Sequence, residues 1–158
     1  MKADAGHMRL YETRALTQGE IAFAMKLFGD ELDWPRLRVM QAPRLGFGAM
    51  VPLGKTIVFS RWPAARDFSM SSADEQGWFV HELMHVWQAA HGVPLALAKL
   101  GALGAKAYRY VAKPQAKFGH YNIERQAEIA RHLYLARIGH PEKGAPARDW
   151  LEAVWATR

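Results

Sequence analysis

Two histidines four positions apart, with a glutamate directly after the first, form the most chemically informative segment of the chain. They are His81, Glu82 and His85, in the segment FVHELMHVWQAAHG, residues 79–92. Residues four apart on an α-helix lie side by side, so both imidazoles can occupy adjacent corners of a zinc tetrahedron. Glu82 lies too close in sequence to His81 to share the ion easily, but it can take a proton from a water at the open position. The segment therefore predicts a zinc-dependent hydrolytic site with Glu82 as its catalytic base.

The neighbours of this motif support a metal site over a packed helix face. A pair of helix histidines is by itself more often structural than catalytic, and so short a motif also occurs by chance. Here apolar side chains occupy nearly every other side of the helix, namely Phe79, Val80, Leu83, Met84, Val86 and Trp87. Because buried polar groups are costly unless they find partners, a metal ion is the natural partner of these histidines.

A third protein ligand must come from elsewhere, and His91 is the first candidate, since it has the spacing of the third histidine of the metzincins. That family has a glycine three residues after the second histidine, which bends the chain back. Gln88 occupies this position here, and Ala89 and Ala90 prolong the helix. On a continuous helix His91 lies about 15 Å along the axis from His81. We therefore expect His91 to end the helix, where the helix dipole favours a histidine, and not to bind the ion.

The second candidate is a pair of glutamates in the segment YNIERQAEI, residues 121–129. Glu124 and Glu128 lie one turn apart on one face of a helix that is expected to begin after Asn122. Taken alone, such a pair is typical of a solvated face that forms salt bridges with neighbouring arginines. With the HELMH motif, however, the segment resembles the gluzincins, zinc peptidases whose third ligand is a glutamate on a later helix. The spacing resembles the branch that includes the CAAX-prenyl peptidases.

The gluzincin resemblance implies a role for each glutamate. Glu124 is the third ligand beside His81 and His85, and Glu128 accepts a hydrogen bond from an imidazole N–H. Glu128 stands where this branch more usually has an aspartate, and the reversed order, with Glu128 on the metal, stays open. Two weaker candidates, His120 and Tyr121, precede this helix and could donate a hydrogen bond to an oxyanion, although loop residues of these types more often serve packing.

A broader resemblance covers about residues 14–138. The segments LTQGEIAFAMKLFGDELDWPRLRVM, GKTIVFS, HELMHVWQ and YNIERQAEI resemble small Vgr-related proteins associated with bacterial type VI secretion loci. These proteins are similar in turn to a metallopeptidase-like domain of extracellular contractile injection systems. The resemblance implies a zincin-like fold, a zinc cofactor and Vgr- or Rhs-type secretion-apparatus partners. It also implies a cytoplasmic protein that a contractile secretion system can deliver.

Length and composition limit the alternatives. A chain of 158 residues is expected to form a polar N-terminal tail, residues 1–14, and a single zincin-like metallopeptidase domain, residues 15–158. Without cysteine, imidazoles and carboxylates must hold any metal. The net charge of +6 suggests affinity for acidic surfaces, but no nucleic-acid recognition motif accompanies it, so no specific nucleic-acid partner is expected. No run approaches the roughly 18 uncharged residues of a membrane-spanning helix, and no secretion signal is apparent.

Capping residues and apolar spacing predict the helices that position the site. A capping box, Thr17 with Glu20, predicts the start of the first helix, and Gly29 its end. A second capping box, Ser72 with Glu75, predicts the start of the second helix, and Gly92 its end. A third helix is expected to run to about Lys113, a fourth from Asn122 to Gly139, and a short last one over residues 147–158. Four cations are expected on one face of the third helix, either solvated or docking an acidic partner or a phospholipid headgroup; they are Lys99, Lys106, Arg109 and Lys113.

Residues 34–60 differ in composition from the helical segments. Short β-branched and aromatic runs alternate there with proline and glycine, which predicts two or three short strands. The whole chain is therefore predicted to be an α+β, zincin-like domain of four or five helices, with a small β-sheet inserted after the first helix.

Functions from three classes fit these residues, the last of them a basic adaptor for nucleic acid or a membrane, which salt-dependent binding would test. The first is a zinc metallopeptidase that cleaves a peptide or protein substrate with a metal-activated water, where Glu82 serves as base in the attack and as acid toward the leaving amine. The second is a non-catalytic zinc-containing module, or a cargo or adaptor of a bacterial contractile secretion system. An open, water-accessible position beside a free Glu82 separates the first two, because structural zinc sites are closed.

Overall fold

The computed structural model describes residues 6–46 and 48–158, which comprise five α-helices and one four-stranded sheet. In chain order the elements are β1 (Thr13–Ala15), α1 (Gln18–Phe28), β2 (Arg38–Gln41), β3 (Ala49–Met50), β4 (Thr56–Phe59), α2 (Ala73–Ala90), α3 (Leu95–Leu100), α4 (Ile123–Arg137) and α5 (Arg148–Trp155). The predicted α+β class is confirmed. Within these ranges, no helix has both the length and the apolar character needed to cross a membrane.

The sheet is mixed, with the strand order β1-β2-β4-β3. β1 and β3 are antiparallel to their neighbours, whereas β2 and β4 are parallel, with Val39 opposite Ile57. Paired residues of neighbouring strands face the same side of a sheet, and both of these side chains are fully buried. They therefore mark the core-facing side of the sheet. β1 precedes α1, so the prediction that the sheet is inserted after the first helix is wrong for this strand. Its three residues are too few to show an alternating pattern, and pairing with β2 fixes their place.

The first five residues of the predicted polar tail, residues 1–14, lie outside the described residues. From there the chain is held on the domain. Met8 is buried, and its N–H donates to the Ala64 carbonyl at 2.8 Å. The Tyr11 N–H donates to the Gln41 carbonyl at 2.7 Å. The tail description is therefore corrected for this part of the chain, because backbone hydrogen bonds that no side-chain pattern reveals hold it against the sheet.

The helices that position the site begin at the residues that the sequence predicts. The Thr17 side chain accepts a hydrogen bond from the Glu20 N–H, and the Glu20 carboxylate accepts one from the Thr17 N–H. Ser72 and Glu75 form the same reciprocal pair at the start of α2. Asn122 caps α4, and the predicted fourth and last helices are both present. Each cap satisfies backbone N–H groups that a helix start leaves unpaired.

The third helix is much shorter than predicted. α3 ends at Leu100, and the chain continues through a 3₁₀ turn at Ala105–Ala107 and then through irregular backbone. Gly104 has a φ of 79°, a left-handed conformation that a right-handed helix cannot contain. The four cations expected on one face of this helix therefore do not share a helical face.

α2 is held between the sheet and α4. Phe59 of β4 stacks on Phe68 at 5.2 Å between ring centroids, and Phe68 stacks on Phe79 of α2 at 4.7 Å. On the opposite side, α2 packs against α4, where Gly77 faces Leu135. A Cβ added at Gly77 would lie 3.3 Å from the Leu135 side chain, so glycine permits the two helices to approach closely.

Glu20 connects three separate segments through one buried carboxylate. It is fully buried and accepts two hydrogen bonds from the Arg14 guanidinium, at 2.8 and 2.7 Å. It also accepts from the backbone N–H of Thr17 and, at 2.9 Å, from that of Phe68. Arg14 belongs to β1 and Phe68 to the segment before α2, so this carboxylate links the first strand, the first helix and the approach to α2.

Replacing Glu20 with glutamine tests this connection. Glu20→Gln should lower the free energy of unfolding by about 3 kcal/mol, because it leaves Arg14 as a charge without its buried partner. Glu75→Gln is the matched control, since Glu75 occupies the same capping position of α2 but is exposed, and glutamine also serves in a capping box. The control should lose no more than about 0.5 kcal/mol in urea denaturation. Equal losses in both variants would show that the Arg14 pair adds nothing beyond the cap.

Candidate metal centre

α2 presents His81, Glu82 and His85 from the most deeply buried part of its length. Every residue from 79 to 86 is buried, so polar and apolar side chains alike are removed from water there. The two imidazoles lie next to each other, with 5.1 Å between ring centroids and nearly perpendicular ring planes. Their placement follows from the spacing of four residues on a regular helix.

α4 brings one carboxylate oxygen to both imidazoles. Glu124 Oε2 lies 3.3 Å from His81 Nε2 and 3.3 Å from His85 Nε2. The three ligand-type atoms all lie within 4.8 Å of one another. A tetrahedral zinc site with bonds of about 2.0–2.1 Å has edges of about 3.3–3.4 Å between ligand atoms. The two nitrogen-to-oxygen distances match that edge, so this donor set fits a zinc ion.

The outer nitrogen of each imidazole has its own acceptor. His81 Nδ1 lies 2.8 Å from Glu128 Oε1, and His85 Nδ1 lies 2.8 Å from Gln88 Oε1. The Gln88 amide nitrogen donates to the Ile123 carbonyl at 2.9 Å, which leaves its oxygen to accept from His85. Each imidazole can therefore hold its hydrogen on Nδ1 and direct the Nε2 lone pair toward the site, as metal-binding histidines require.

The two glutamates of α4 thus contact different nitrogens. Glu124 faces both Nε2 atoms, whereas Glu128 faces the Nδ1 atom of His81. Glu128 is fixed in turn by Arg131 at 3.4 Å and His132 at 3.5 Å. This arrangement favours Glu124 over Glu128 as the third ligand.

The histidines and glutamates of the site shift one another's pKa values. Burial lowers the pKa of His81, but hydrogen bonds with Glu124 and Glu128 outweigh burial and raise that pKa to about 9. Burial raises the pKa of Glu124, but hydrogen bonds with His81 and His85 outweigh it and hold that pKa well below its ordinary value. Both shifts favour a proton on His81, between the two carboxylates, in the absence of a metal ion. Zinc must displace that proton when it binds.

Glu82 has an unsatisfied buried oxygen. The residue is 6% exposed, and its Oε2 atom has no hydrogen-bond partner within residues 6–46 and 48–158. Together with His81, Glu82 lines a cleft of about 620 Å³. A buried carboxylate oxygen without a partner is unusual, and the residue that carries it borders a cleft that water or a substrate can enter.

Several residues of this cleft were missed at the sequence level. Its walls include Arg61, Trp62, Trp78, Tyr108 and Arg109. These residues come mostly from irregular segments, where no periodic pattern marks them, and the expectation of a long third helix obscured two of them.

Tyr108 is the most informative of the missed residues. Its ring stacks on the imidazole of His81 at 5.9 Å between centroids. Burial and then the charges of Glu124 and Glu82 raise the pKa of Tyr108 to about 12. The phenol therefore keeps its proton at neutral pH and can donate a hydrogen bond inside the cleft.

The remaining sequence candidates lie elsewhere. His91 ends α2, as predicted, and its ring stacks on Trp87 at 3.9 Å. The Tyr121 hydroxyl donates to the Val111 carbonyl at 3.0 Å, and Tyr121 and His120 line a neighbouring pocket instead of this cleft. The structure thus places His81, Glu82, His85 and Glu124 together and puts these aromatic residues outside the group.

Comparison with known proteins gives the chain a family. No protein-family model matches it. It is 33% identical over 145 residues to the type VI secretion system spike protein VgrG2b of Pseudomonas aeruginosa, a match that covers 85% of this chain and 14% of that protein. The solved effector domain of Pseudomonas aeruginosa VgrG2b is 30% identical and aligns with a TM-score of 0.70, over 91% of this chain and 82% of that domain. The chain belongs to the family of the VgrG2b effector domain.

Membership of the VgrG2b effector-domain family confirms the predicted link to type VI secretion. The relatives' names state a secretion spike and an effector domain, and they name neither a metal nor a reaction. The zinc ion, the zincin-like classification and the catalytic role of Glu82 therefore remain predictions that the geometry of this site supports.

Zinc affinity distinguishes the roles of the two α4 glutamates. Glu124→Ala should lose most bound zinc, because it leaves two imidazoles alone, whereas Glu128→Ala should weaken binding by roughly 10–100-fold through loss of the acceptor for His81. Competition with a chromophoric chelator measures both affinities. Glu152→Ala, which removes a glutamate that pairs with Arg137 away from the site, should bind zinc like the unmodified chain. The opposite order of the two losses would assign the ligand to Glu128.

Proposed function

We propose that this chain is a zinc-dependent, gluzincin-like peptidase with a zincin-like fold, carried as an effector by a type VI secretion system. One observation carries the proposal. Three buried ligand atoms, Nε2 of His81, Nε2 of His85 and Oε2 of Glu124, converge beside Glu82, a glutamate that lines an open cleft and has a buried oxygen without a partner. A structural zinc site has four protein ligands and no such cleft, whereas a catalytic site has three and an open position.

His81, His85 and Glu124 would hold the ion. When bound, zinc supplies a Lewis acid that polarises a carbonyl oxygen and lowers the pKa of water. Glu128 and Gln88 fix the orientation of the two imidazoles through their Nδ1 atoms, at 2.8 Å each. These hydrogen bonds hold the two imidazole rings from the side away from the cleft. They therefore limit how far the two Nε2 atoms can move during a reaction.

Glu82 carries the proton transfers. Its carboxylate accepts a proton from the attacking water as the new bond from that water's oxygen to the peptide carbon forms. When the bond between carbon and nitrogen breaks, the same carboxyl gives the proton to the departing amine. A carboxylate positioned for such transfers contributes typically about 10²–10⁴-fold to the rate.

Tyr108 provides a hydrogen-bond donor on the wall of the same cleft. Because its hydroxyl keeps its proton at neutral pH, it can donate to the negative oxygen that develops on the attacked carbonyl. Trp62 and Trp78 form apolar walls that suit the side chains of a peptide. The substrate class that fits these walls is an extended peptide segment.

A non-catalytic role in secretion is the second candidate. Both comparisons name parts of one secretion spike, and the match to the whole spike protein covers 14% of its length. In this role the chain would be cargo or an adaptor for Vgr- or Rhs-type proteins, and the zinc would only stabilise the fold. The two candidates differ in whether Glu82 has any chemical task.

Glu82→Gln separates the two candidates. The substitution keeps the size of the side chain and removes the base, so zinc content and melting temperature should stay unchanged. Cleavage of a peptide library, followed by mass spectrometry, should fall by about 10²–10⁴-fold. Glu75→Gln, a change on the exposed start of the same helix, should cleave like the unmodified chain. An active chain in which Glu82→Gln has no effect refutes the proposed base. A fully zinc-loaded chain that cleaves no peptide favours the secretion module.

A further inference from the structure

A second pocket adjoins the candidate catalytic cleft at Arg109. Arg109 lines both the cleft and this neighbouring cavity of about 500 Å³. The walls of the cavity are formed by residues 109–111, 113–116, 120, 121 and 125, and we call it the basic pocket. It lies in the irregular segment after α3 and at the start of α4. A molecule bound along the cleft can therefore extend past Arg109 into the basic pocket without leaving the surface of the protein.

The basic pocket contains cations without anionic partners. Arg109, Lys113 and Arg125 line it, and no acidic side chain does. None of these three side chains forms an ion pair or hydrogen bond with another residue in the described parts of the chain, and the Arg125 Nε atom is buried without a partner there. Three unpaired cations around one cavity repel one another, so a bound anion would stabilise them.

Other arginines of α4 are paired, which makes the basic pocket distinctive. Arg131 contacts Glu128 and Glu142, and Arg137 forms two hydrogen bonds with Glu152, at 2.9 and 2.7 Å. Arg125 lies on the same helix and has no such partner. Ion pairs thus neutralise Arg131 and Arg137, whereas Arg125, at the basic pocket, has no anionic partner.

The wall of the basic pocket is built from aromatic residues that are themselves fixed. The Tyr110 hydroxyl lies 2.6 Å from His132 Nδ1, and the Tyr121 hydroxyl donates to the Val111 carbonyl. The two tyrosine rings pack edge to face at 5.8 Å, and both pack against Trp150. The pocket is therefore formed before any ligand arrives, which reduces the entropic cost of binding.

We propose that the basic pocket is a substrate subsite that binds an aspartate or glutamate side chain of the peptide, at a position away from the bond that is cleaved. The inference rests on the proposed peptidase function, since it assigns specificity to the same cleft. The carboxylate of Glu82 lines the cleft together with the guanidinium groups of Arg61 and Arg109, so the wall of the cleft carries both signs of charge. Past Arg109 the charged side chains of the wall are all cationic, and guanidinium groups there can form charge-assisted hydrogen bonds with a carboxylate.

A peptide fits this site better than a nucleic acid does. The cations surround one cavity of limited volume that shares Arg109 with the cleft, and they do not form the long stripe that tracks a phosphate backbone. One carboxylate is also sufficient to pair with the Arg125 guanidinium in a planar, two-point contact. The structure therefore favours recognition of single acidic residues in an extended peptide.

Binding of matched peptides tests the subsite independently of cleavage. Zinc-loaded Glu82→Gln protein is titrated into fluorescent peptides that carry one glutamate, moved through each position, and into the same peptides with glutamine instead. Fluorescence anisotropy should show a position at which glutamate binds roughly 10-fold or more tightly than glutamine, the usual effect of a hydrogen bond to a charged group. Neutral peptides that bind as tightly as acidic ones at every position would overturn the proposal.

Charge variants locate the preference. Lys113→Gln with Arg125→Gln, made in the Glu82→Gln protein, should abolish the difference between glutamate and glutamine. The matched control is Lys26→Gln with Arg44→Gln, which removes the same charge from exposed sites outside both cavities and should leave the difference intact. Lys113→Glu should weaken the preference for glutamate more than Lys113→Gln does, because it removes two units of positive charge from the pocket and Lys113→Gln removes one. If the preference persists in the first pair of substitutions, the basic pocket is not the subsite.

The remaining outcomes separate this inference from the proposed function. If the zinc-loaded unmodified chain cleaves no peptide but the binding preference and its loss in the variants are observed, the peptidase proposal fails and the acidic-peptide subsite stands. If cleavage occurs with no preference for acidic residues, the subsite fails and the peptidase stands. A single-stranded oligonucleotide or a phosphatidylglycerol vesicle that binds more tightly than every acidic peptide, and loses binding in Lys113→Gln with Arg125→Gln, would assign the pocket to phosphate and overturn the proposal.

Discussion

The burial of polar residues on α2 is the constraint on which the rest of the structure depends. Residues 79–86 are all buried, and three of them, His81, Glu82 and His85, carry groups that are costly to remove from water. The helix can occupy this position only because α4 supplies two carboxylates to the imidazoles. Gly77 lets the helices approach closely enough for those contacts. The packing of α2 on α4 is thus decided by polar pairing as much as by apolar burial.

The sequence predicted the helix starts and the placement of the two histidines, which depend on local patterns. The capping boxes located α1 and α2, Asn122 located α4, and the spacing of His81 and His85 placed both imidazoles on one helix face. The resemblance to gluzincins then pointed to Glu124 and Glu128. Spacing alone left their order open, since both lie on one face of α4, and only the packed structure shows which nitrogen each one contacts.

The features that were not predicted depend on long-range contacts or on irregular backbone. β1 is held by pairing with β2 across more than twenty residues of chain, and three residues give no readable pattern. The third helix ends at Leu100, and the left-handed conformation of Gly104 prevents the helix from continuing to Lys113, although alanine and leucine around it favour a helix. Tyr108 and Arg109 follow that break, so their place on the wall of the cleft could not be deduced from any helical periodicity.

Because of Gln88, the two histidines of the HELMH motif differ in how strongly they donate electrons. His81 faces a carboxylate through its outer nitrogen, whereas His85 faces the neutral amide of Gln88. A charged acceptor makes an imidazole more electron-rich than a neutral one does, so His81 is the stronger electron donor of the pair. The two histidines are therefore inequivalent ligands, and His81 would donate more electron density than His85 to an ion between them.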